Sequence, residues 1–473
     1  MKQRMLGDSA VERLGEAAAE VLERVGILCQ SEELCRELRS SGAIVDEPGG
    51  RVRFPARMTL DFARALREEA ARSAGPDGKL EPPPMPRLET QVAQFYLDPA
   101  SGERLSGSRS SLRELARLGE SLHPDDGVGH SLILCDVPPI LEPLEAALVL
   151  AEHASKPGAP FAWDVRQIDY LREMGEILGM PGWASWGAIC IAHPLRFDRA
   201  VAEKLVRRVR EGVSTGITAM PVAGVSTPVT LEGFVAVAAA EHLAAWMACR
   251  AVNPSVGLSG SMWGGSVDPA TGLVSYSRFD AMRYSFACVE LLERWCGVRI
   301  PVGGGEYCDA RAPGLYAALE KAYKAMTIAA FTGQHPGVGE GMLETGKTIS
   351  PIQLLLDREY GSGVAHLWRE AGEATADAIG LEAVLEVGLP DASSGAGSFL
   401  DREHTIRHFR SSLWRWDLAD PAGWSGMDSE ARALERARHQ LHAAAARPGS
   451  PPERGRELEA MRRVLARARA ALL

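Results

Sequence analysis

Residues 217–241 read ITAMPVAGVSTPVTLEGFVAVAAAE, an apolar run broken at Pro221 and Gly224 that restarts as a long Ala-rich helix. Thr227 before Pro228 predicts the helix start: its hydroxyl can cap orphan amides, and proline at the first helical position gives up a hydrogen bond that was never available. A strand, a Gly/Ser/Thr loop and a helix N-terminus in that order present backbone donors at one edge of a sheet, where ligands of α/β proteins collect. Ser226 and Thr227 are therefore candidate binding residues.

The same arrangement recurs along the chain. Short apolar segments (VGHSLILCDV, PFAWDV, SWGAICIAH, GITAMPVAG, PSVGLSG, VRIPVGGG and VGEGML) alternate with helical stretches such as LEPLEAALVLAEHAS, RAVAEKLVRRVREG and GLYAALEKAYKAMTIAAFTG. These make seven strand–helix units, with LEAVLEVG (381–388) an ambiguous eighth. Alternation implies an α/β fold of parallel strands joined by right-handed crossovers. Seven or eight units over about 260 residues fit a (β/α)8 TIM barrel better than the open, doubly wound sheet that is the plainer alternative.

The flanks differ in texture. Residues 1–90 form an N-terminal extension of helices, such as VERLGEAAAEVLERVGI, and a hairpin candidate, AIVDEPGGRVRFP, followed by a Pro-rich connector at 75–89. The barrel is expected over 91–390, entered through FYLDPASGERLSGSRSSLRELARLGE, which reads as a hairpin-like turn and a helix capped near Ser110 or Ser111. Residues 391–473 form a C-terminal helical arm whose last segment, RELEAMRRVLARARAALL, is amphipathic and basic. That segment suits packing on a subunit or partner better than a membrane surface, given the acidic whole.

The 473 residues carry 52 Lys plus Arg against 62 Asp plus Glu, a formal charge of -10, which argues against a nucleic-acid partner. The N-terminal MKQRMLGDSAVERLGE has no apolar signal core, and no uninterrupted apolar run suggests a membrane span, so a soluble cytoplasmic protein is expected. The eight cysteines form no CxxC pair and read as buried, reduced thiols.

In a barrel the chemistry sits where strands end. The segments following the apolar runs contain Trp163, His193, Ser226, Thr227, Trp263, Glu306, Tyr307, Asp309 and Glu344, and look rich in aromatics and carboxylates but poor in Lys and Arg. Such a mouth suits a cation or a neutral molecule. Trp163, Trp183, Trp186, Trp263 and Tyr307 fall at or near loop ends; each alone suits packing, yet together with Glu306, Asp309, Glu340 and Glu344 they would cage a quaternary ammonium. No zinc spacing is present, so no metal site is expected, and VGGGEY lacks the GxGxxG spacing of a dinucleotide loop.

Several blocks, in order, resemble the trimethylamine methyltransferase superfamily. They are LERVGI with SGAIVD and VRFP, FYLDPASGERLSGS, DVPP, HASKPGAPF, GMLETGKTISPIQLLLDRE and GSFLDREHTIRHFRSSLW; the most specific is MPVAGVSTPVTLEGFVAVAAAEHLA. The resemblance implies a TIM barrel that moves a methyl group from a methylated amine to Co(I) of a corrinoid (cobalamin) carried by a separate corrinoid-binding protein, with no cofactor held tightly by this chain. It also implies a homo-oligomer. Only standard residues occur, unlike the pyrrolysine-containing members, which favours a betaine- or carnitine-like quaternary amine as substrate. The loop 304–309 is the candidate counterpart of the pyrrolysine position, making Glu306, Tyr307 and Asp309 catalytic candidates. A substrate carboxylate would fall to Ser226 and Thr227, with His404 or Arg311 in support.

Glu306, Tyr307 and Cys308 stand where members of that family usually carry small residues. This opens two other readings: a degenerate, non-catalytic member that binds a small cation or the corrinoid partner, and a corrinoid-independent enzyme on the same barrel.

Overall fold

A computed structural model of the chain describes residues 3–46, 50–73, 84–88, 92–370, 372–388, 397–420, 423, 425–446 and 453–473. The hairpin turn at 47–49, most of the 75–89 connector and the linker at 447–452 lie outside the described residues.

Parallel pairing runs around a closed ring. Ala93 pairs with Leu132, Val128 with Pro157, Phe161 with Ser185, and Met262 with Val302. Ile189 and Gly260 flank Ile217 in the same sense. The amide of Gly339 donates to the carbonyl of Gly305 at 3.1 Å; the eighth strand ends at Met342–Leu343, which folds back antiparallel onto Thr348–Ile349, and that segment closes the ring by lying parallel to Phe95 and Tyr96. Each of these eight strands is followed by its helix: Arg109–Leu122, Glu142–His153, Ile168–Ile177, Arg199–Arg210, Leu231–Val252, Phe279–Cys296, Leu315–Thr332 and Pro351–Leu367. The fold is an eight-stranded (β/α)8 barrel.

The missing eighth unit lies ahead of the seven legible ones. Its strand is only Phe95–Leu97, folded back at once onto Arg104–Ser106, so its local pattern is that of a hairpin. The helix after it starts one turn earlier than expected, with the Ser108 hydroxyl accepting from the Ser111 amide. LEAVLEVG is a helix, Leu381–Gly388, entered through Gly380 at φ 64°.

Helix Leu231–Val252 is long and apolar enough to cross a bilayer by length and composition, but most of it is buried inside the fold. It packs against Asp8–Arg24, Glu32–Ser40, Arg199–Arg210 and Phe279–Cys296. Its cap is Thr230, whose hydroxyl accepts from the Gly233 amide, rather than Thr227. Thr227 is instead drawn back onto Ala223 in a short parallel bridge, its amide donating to Val222 O, and the helix can begin only after that turn closes.

The N-terminal layer joins the barrel directly. Ile27–Cys29 pairs antiparallel with Arg51–Arg53 and parallel with Arg196–Phe197 of the fourth unit. Gly15 in helix Asp8–Arg24 lies so close to the Trp295 indole that a Cβ would overlap it. Covering this buried ring contributes several kcal/mol, at roughly 25 cal/mol per Å² over about 200 Å². At the other end, helix Met427–Ala446 packs on Pro351–Leu367 and Arg109–Leu122. The basic helix Gly455–Leu472 buries Met461, Val464 and Ala468 against Glu142–His153 and Ile168–Ile177. The final amphipathic segment therefore packs on its own barrel. Helices beyond the barrel begin at Ala376, ahead of residue 391.

Candidate functional site

The barrel mouth holds a cavity of about 350 Å³ built by the segments after strands one, six, seven and eight. Arg104, Val274, Ser275, Arg278, Asp309 and Arg311 line it, with Glu344, Thr345 and Lys347. Three arginines and a lysine against two carboxylates make this mouth basic in an acidic chain. The expectation of a mouth poor in Lys and Arg is therefore corrected. Arg104, Arg278 and Lys347 are far apart in sequence, and only closure of the ring brings them to one opening.

Two of these cations are engaged. Arg104 Nη1 lies 2.9 Å from Glu344 Oε2, and Arg278 lies 3.5 Å from Asp268. Burial pushes the Glu344 carboxyl up, but hydrogen bonds from Thr348 and Arg104 and the charges of Arg104 and Arg311 more than offset this and hold it below the ordinary carboxylate value. Glu344 and Thr345 both occupy the left-handed backbone region, at φ 51° and 58°. Two adjacent non-glycine residues there cost about 1–3 kcal/mol each, a cost characteristic of binding and catalytic loops.

Aromatic side chains border the cavity. The rings of Trp263 and Tyr307 are 4.8 Å apart, and Tyr276 meets Tyr307 edge-on at 6.4 Å. The Tyr307 ring rests against Gly346, between the cavity-lining Thr345 and Lys347. Gly346, at φ 83°, leaves room for that ring, as Gly303 does for the Trp263 indole. Lys324 is buried behind this group: its Nζ donates to Tyr276 O at 2.6 Å and lies 6.0 Å from the Tyr307 ring centre. Burial pushes Lys324 down to about 8, against the attraction of Glu306, Asp309 and Glu320. Burial pushes Glu306 and Tyr307 up.

The sequence candidates divide among several places. Asp309 and Glu344 line the mouth, and Tyr307 packs on its wall at Gly346 with Trp263 against it. Glu306 and Glu340 line a different cavity of about 210 Å³, with Pro84, Arg87 and Pro336–Gly339. Glu306 lies in the turn in which the Tyr307 amide donates to Gly304 O, and the chain changes direction there between it and Asp309.

Trp163 belongs to another aromatic group, with Phe161 and His130, and its indole donates to Glu142 at 2.8 Å. Trp186 is buried in the cluster beneath the last helix, where Arg172 covers its ring. Trp183 is buried in the same cluster, its indole donating to Pro157 O at 3.0 Å, so one aromatic, acid-lined cage spanning all five rings is not what the chain builds. His193 has both ring nitrogens occupied, because Nε2 accepts from the Met220 amide at 2.8 Å and Nδ1 donates to Glu241 at 2.8 Å. The Ser226 hydroxyl accepts from the Val222 amide at 2.8 Å and closes the turn. The Thr227 hydroxyl is buried with no hydrogen-bond partner among the described residues. His404 meets Asp377 O at 2.9 Å within the C-terminal arm.

Sequence reasoning did not pick out Arg104, Arg278, Lys347 or Tyr276. Arg104 and Lys347 do lie inside quoted blocks, and position in a hairpin or turn beside the mouth is the signal that they offered. Among the described residues no three metal-ligating side chains converge. Six cysteines are buried, and Cys135 and Cys190 are exposed.

Comparison with known proteins agrees with the motif blocks. Residues 2–472 match the family model for trimethylamine methyltransferase (MTTB). Trimethylamine methyltransferase MttB of Desulfitobacterium hafniense (strain DSM 10664 / DCB-2) is 21% identical over 435 residues, spanning 85% of this chain and 81% of that protein. The MttB of Methanosarcina thermophila is 24% identical over 243 residues, 48% of this chain and 46% of its own length. Among solved structures, a crystal structure of the hydroxylamine MtmB complex aligns over 92% of this chain and 94% of that one, at 10% identity and a TM-score of 0.40, too distant to carry an argument.

Proposed function

Because the chain belongs to the trimethylamine methyltransferase family, we propose that it is a corrinoid-dependent methyltransferase whose methyl donor is a quaternary amine bearing a carboxylate, of betaine or carnitine type. The acceptor is Co(I) of a corrinoid carried by a separate binding protein, and the reaction is cytoplasmic.

The observation that carries this reading is where Tyr307 sits: its ring, in contact with Trp263 and Tyr276, packs on Gly346 between Thr345 and Lys347, which line the mouth together with Arg278 and Arg311. Aromatic faces attract an ammonium by about 0.5–2 kcal/mol each, most where water is excluded. Guanidinium groups pair with carboxylates at two points and fix their direction. A zwitterion with its charges a few bonds apart satisfies both surfaces, whereas a bare trimethylammonium leaves the basic side of the mouth unused.

The reaction needs positioning more than acid–base help. In an in-line displacement the methyl carbon accepts the electron pair of Co(I) while the C–N pair stays on nitrogen. A quaternary nitrogen then leaves as a neutral tertiary amine, and no proton donor is required. The rings hold the donor nitrogen, the basic rim turns the carboxylate aside, and the half-buried wall keeps water from the reacting carbon.

A second reading, a non-catalytic cation-binding member, is favoured by the bulk of Tyr307 packed between Trp263 and Gly346. The two separate on mixing the protein with cob(I)alamin and glycine betaine, carnitine or trimethylamine in turn. Methyl-Co(III) absorbance with a carboxylated quaternary amine supports turnover; thermal stabilisation by the amine with an unchanged cobalt spectrum supports binding alone. Methylation by trimethylamine but by neither zwitterion removes the carboxylate requirement.

A further inference from the structure

We infer that the outward face of helix Leu315–Thr332 is an interface between two copies of this chain, packed helix on helix about a two-fold axis. The helix is amphipathic the wrong way round for one that ends at water. Its only charged side chains, Glu320, Lys321 and Lys324, are all buried against the barrel. Lys321 is paired there with Asp357 at 2.6 Å, and Glu320 accepts from the amides of Asp309 and Ala310. The side that faces out carries Tyr316, Leu319 and Met326, exposed by 66%, 58% and 57%.

The spacing of that outer face is regular. Tyr316, Leu319, Tyr323, Met326 and Ala330 follow one another at alternating steps of three and four, the seam that one helix offers to another when side chains interlock. Phe279, 74% exposed, extends the seam sideways by lying 5.2 Å from the Tyr323 ring.

Area and charge select the occupant. Large side chains of about 150–250 Å² each, exposed by these fractions, present on the order of 500 Å² of apolar surface. That matches the apolar share of one side of a standard interface of about 800 Å² per partner, and stands in the upper half of the roughly 300–600 Å² that the largest apolar patch of a monomer reaches, a size often tied to association. Since the helix turns all its charges inward, its outer face contributes no charge that would choose an acidic or a basic partner. A face without charge is complementary to itself: run antiparallel, the Tyr316 end of one seam meets the Met326 end of the other, a favourable sulfur–aromatic pairing. The face also reaches the mouth, because the Tyr323 hydroxyl donates to Ser277 O at 2.7 Å, next to the cavity-lining Arg278.

Sedimentation velocity on the full-length chain from about 1 to 100 µM, alone and with Leu319→Glu/Met326→Glu, tests this. The wild type is expected to run as a dimer or a higher even oligomer. The double substitution is expected to weaken the association more than about a hundredfold, since each carboxylate would be buried unpaired. Circular dichroism and the melting temperature of the variant check its fold, and Leu319→Ala/Met326→Ala, which adds no charge, should weaken association in the same direction. A wild type that stays monomeric across this range overturns the inference, and so does an oligomer whose mass and affinity neither pair of substitutions alters.

Discussion

Arg104 and Glu344 join the two ends of the barrel: the guanidinium on the hairpin after the first strand lies 2.9 Å from the carboxylate on the turn after the eighth. The contact both braces a backbone turn held at positive φ and takes one cation away from the mouth. Its energetic share as a partly exposed pair is small, about 0–1 kcal/mol.

Glu344→Gln should therefore barely change stability, by at most about 1 kcal/mol. It frees Arg104, so affinity for a carboxylated quaternary amine should rise while affinity for tetramethylammonium falls. Calorimetric titration of glycine betaine and tetramethylammonium against both proteins checks the opposed signs; equal changes for the two ligands would show that the rim does not read the carboxylate.

Trp263→Ala removes one aromatic wall and should weaken quaternary-ammonium binding by about 0.5–2 kcal/mol. Gly303→Ala is the subtler probe. It deletes no ring, but its Cβ would overlap the Trp263 indole and must displace it. Both variants should lose affinity in the same titration; normal binding by both would take Trp263 out of the site.

His193 bridges the Met220 amide and the fully buried Glu241 carboxylate. Its loss leaves that charge short of a partner. His193→Ala should cost about 3 kcal/mol in urea unfolding, with amine affinity in the surviving folded protein unchanged. The reverse outcome, stability kept and affinity lost, would make His193 a substrate contact.

Lys204 is buried with its ammonium near the carbonyls of Ala162 and Ala188, at 3.2 and 3.4 Å. Burial pushes it down from its ordinary 10.5 to about 8, with Cys190 opposing. Below about 8 folded and unfolded chains both carry the proton, and the full cost of burying the charge is present. Between the two values the folded chain sheds its proton first, so stability rises with pH, on the order of 3 kcal/mol in all. Lys204→Met lacks this term. The gap between wild type and variant should shift in favour of wild type from about pH 7.5 to pH 10, and parallel pH profiles would refute it.

The barrel was legible because its helices are long and carry apolar residues at helical spacing, whatever the shortness of the strands. Its first strand was not, since Phe95–Leu97 forms a hairpin with Arg104–Ser106 and reveals its parallel partners only when Thr348 and Ile349 come round the ring. The helix start missed by one turn for a similar reason: Thr227 and Thr230 are both good caps locally, and the bridge from Thr227 to Ala223 decides between them. At the site, Trp263 and Tyr307 were read as neighbours and are. Trp163 and Trp186 occupy equivalent loop ends, yet face the Glu142 network and the last helix. A loop position says that a ring is near the end of a strand; it does not say which side the ring faces. The basic rim is the least legible feature, being assembled from four separate loops by the curvature of the sheet alone.

The apolar stripe of helix Asp8–Arg24 finds its cover on Leu231–Val252 and Phe279–Cys296. On the ribosome those covering helices emerge more than two hundred residues later, which at about 5–20 residues per second leaves the first helix waiting for about 10–40 seconds. Until then only part of its cover is available, from helix Ala56–Ser73, which it also contacts and which is made within about fifty residues.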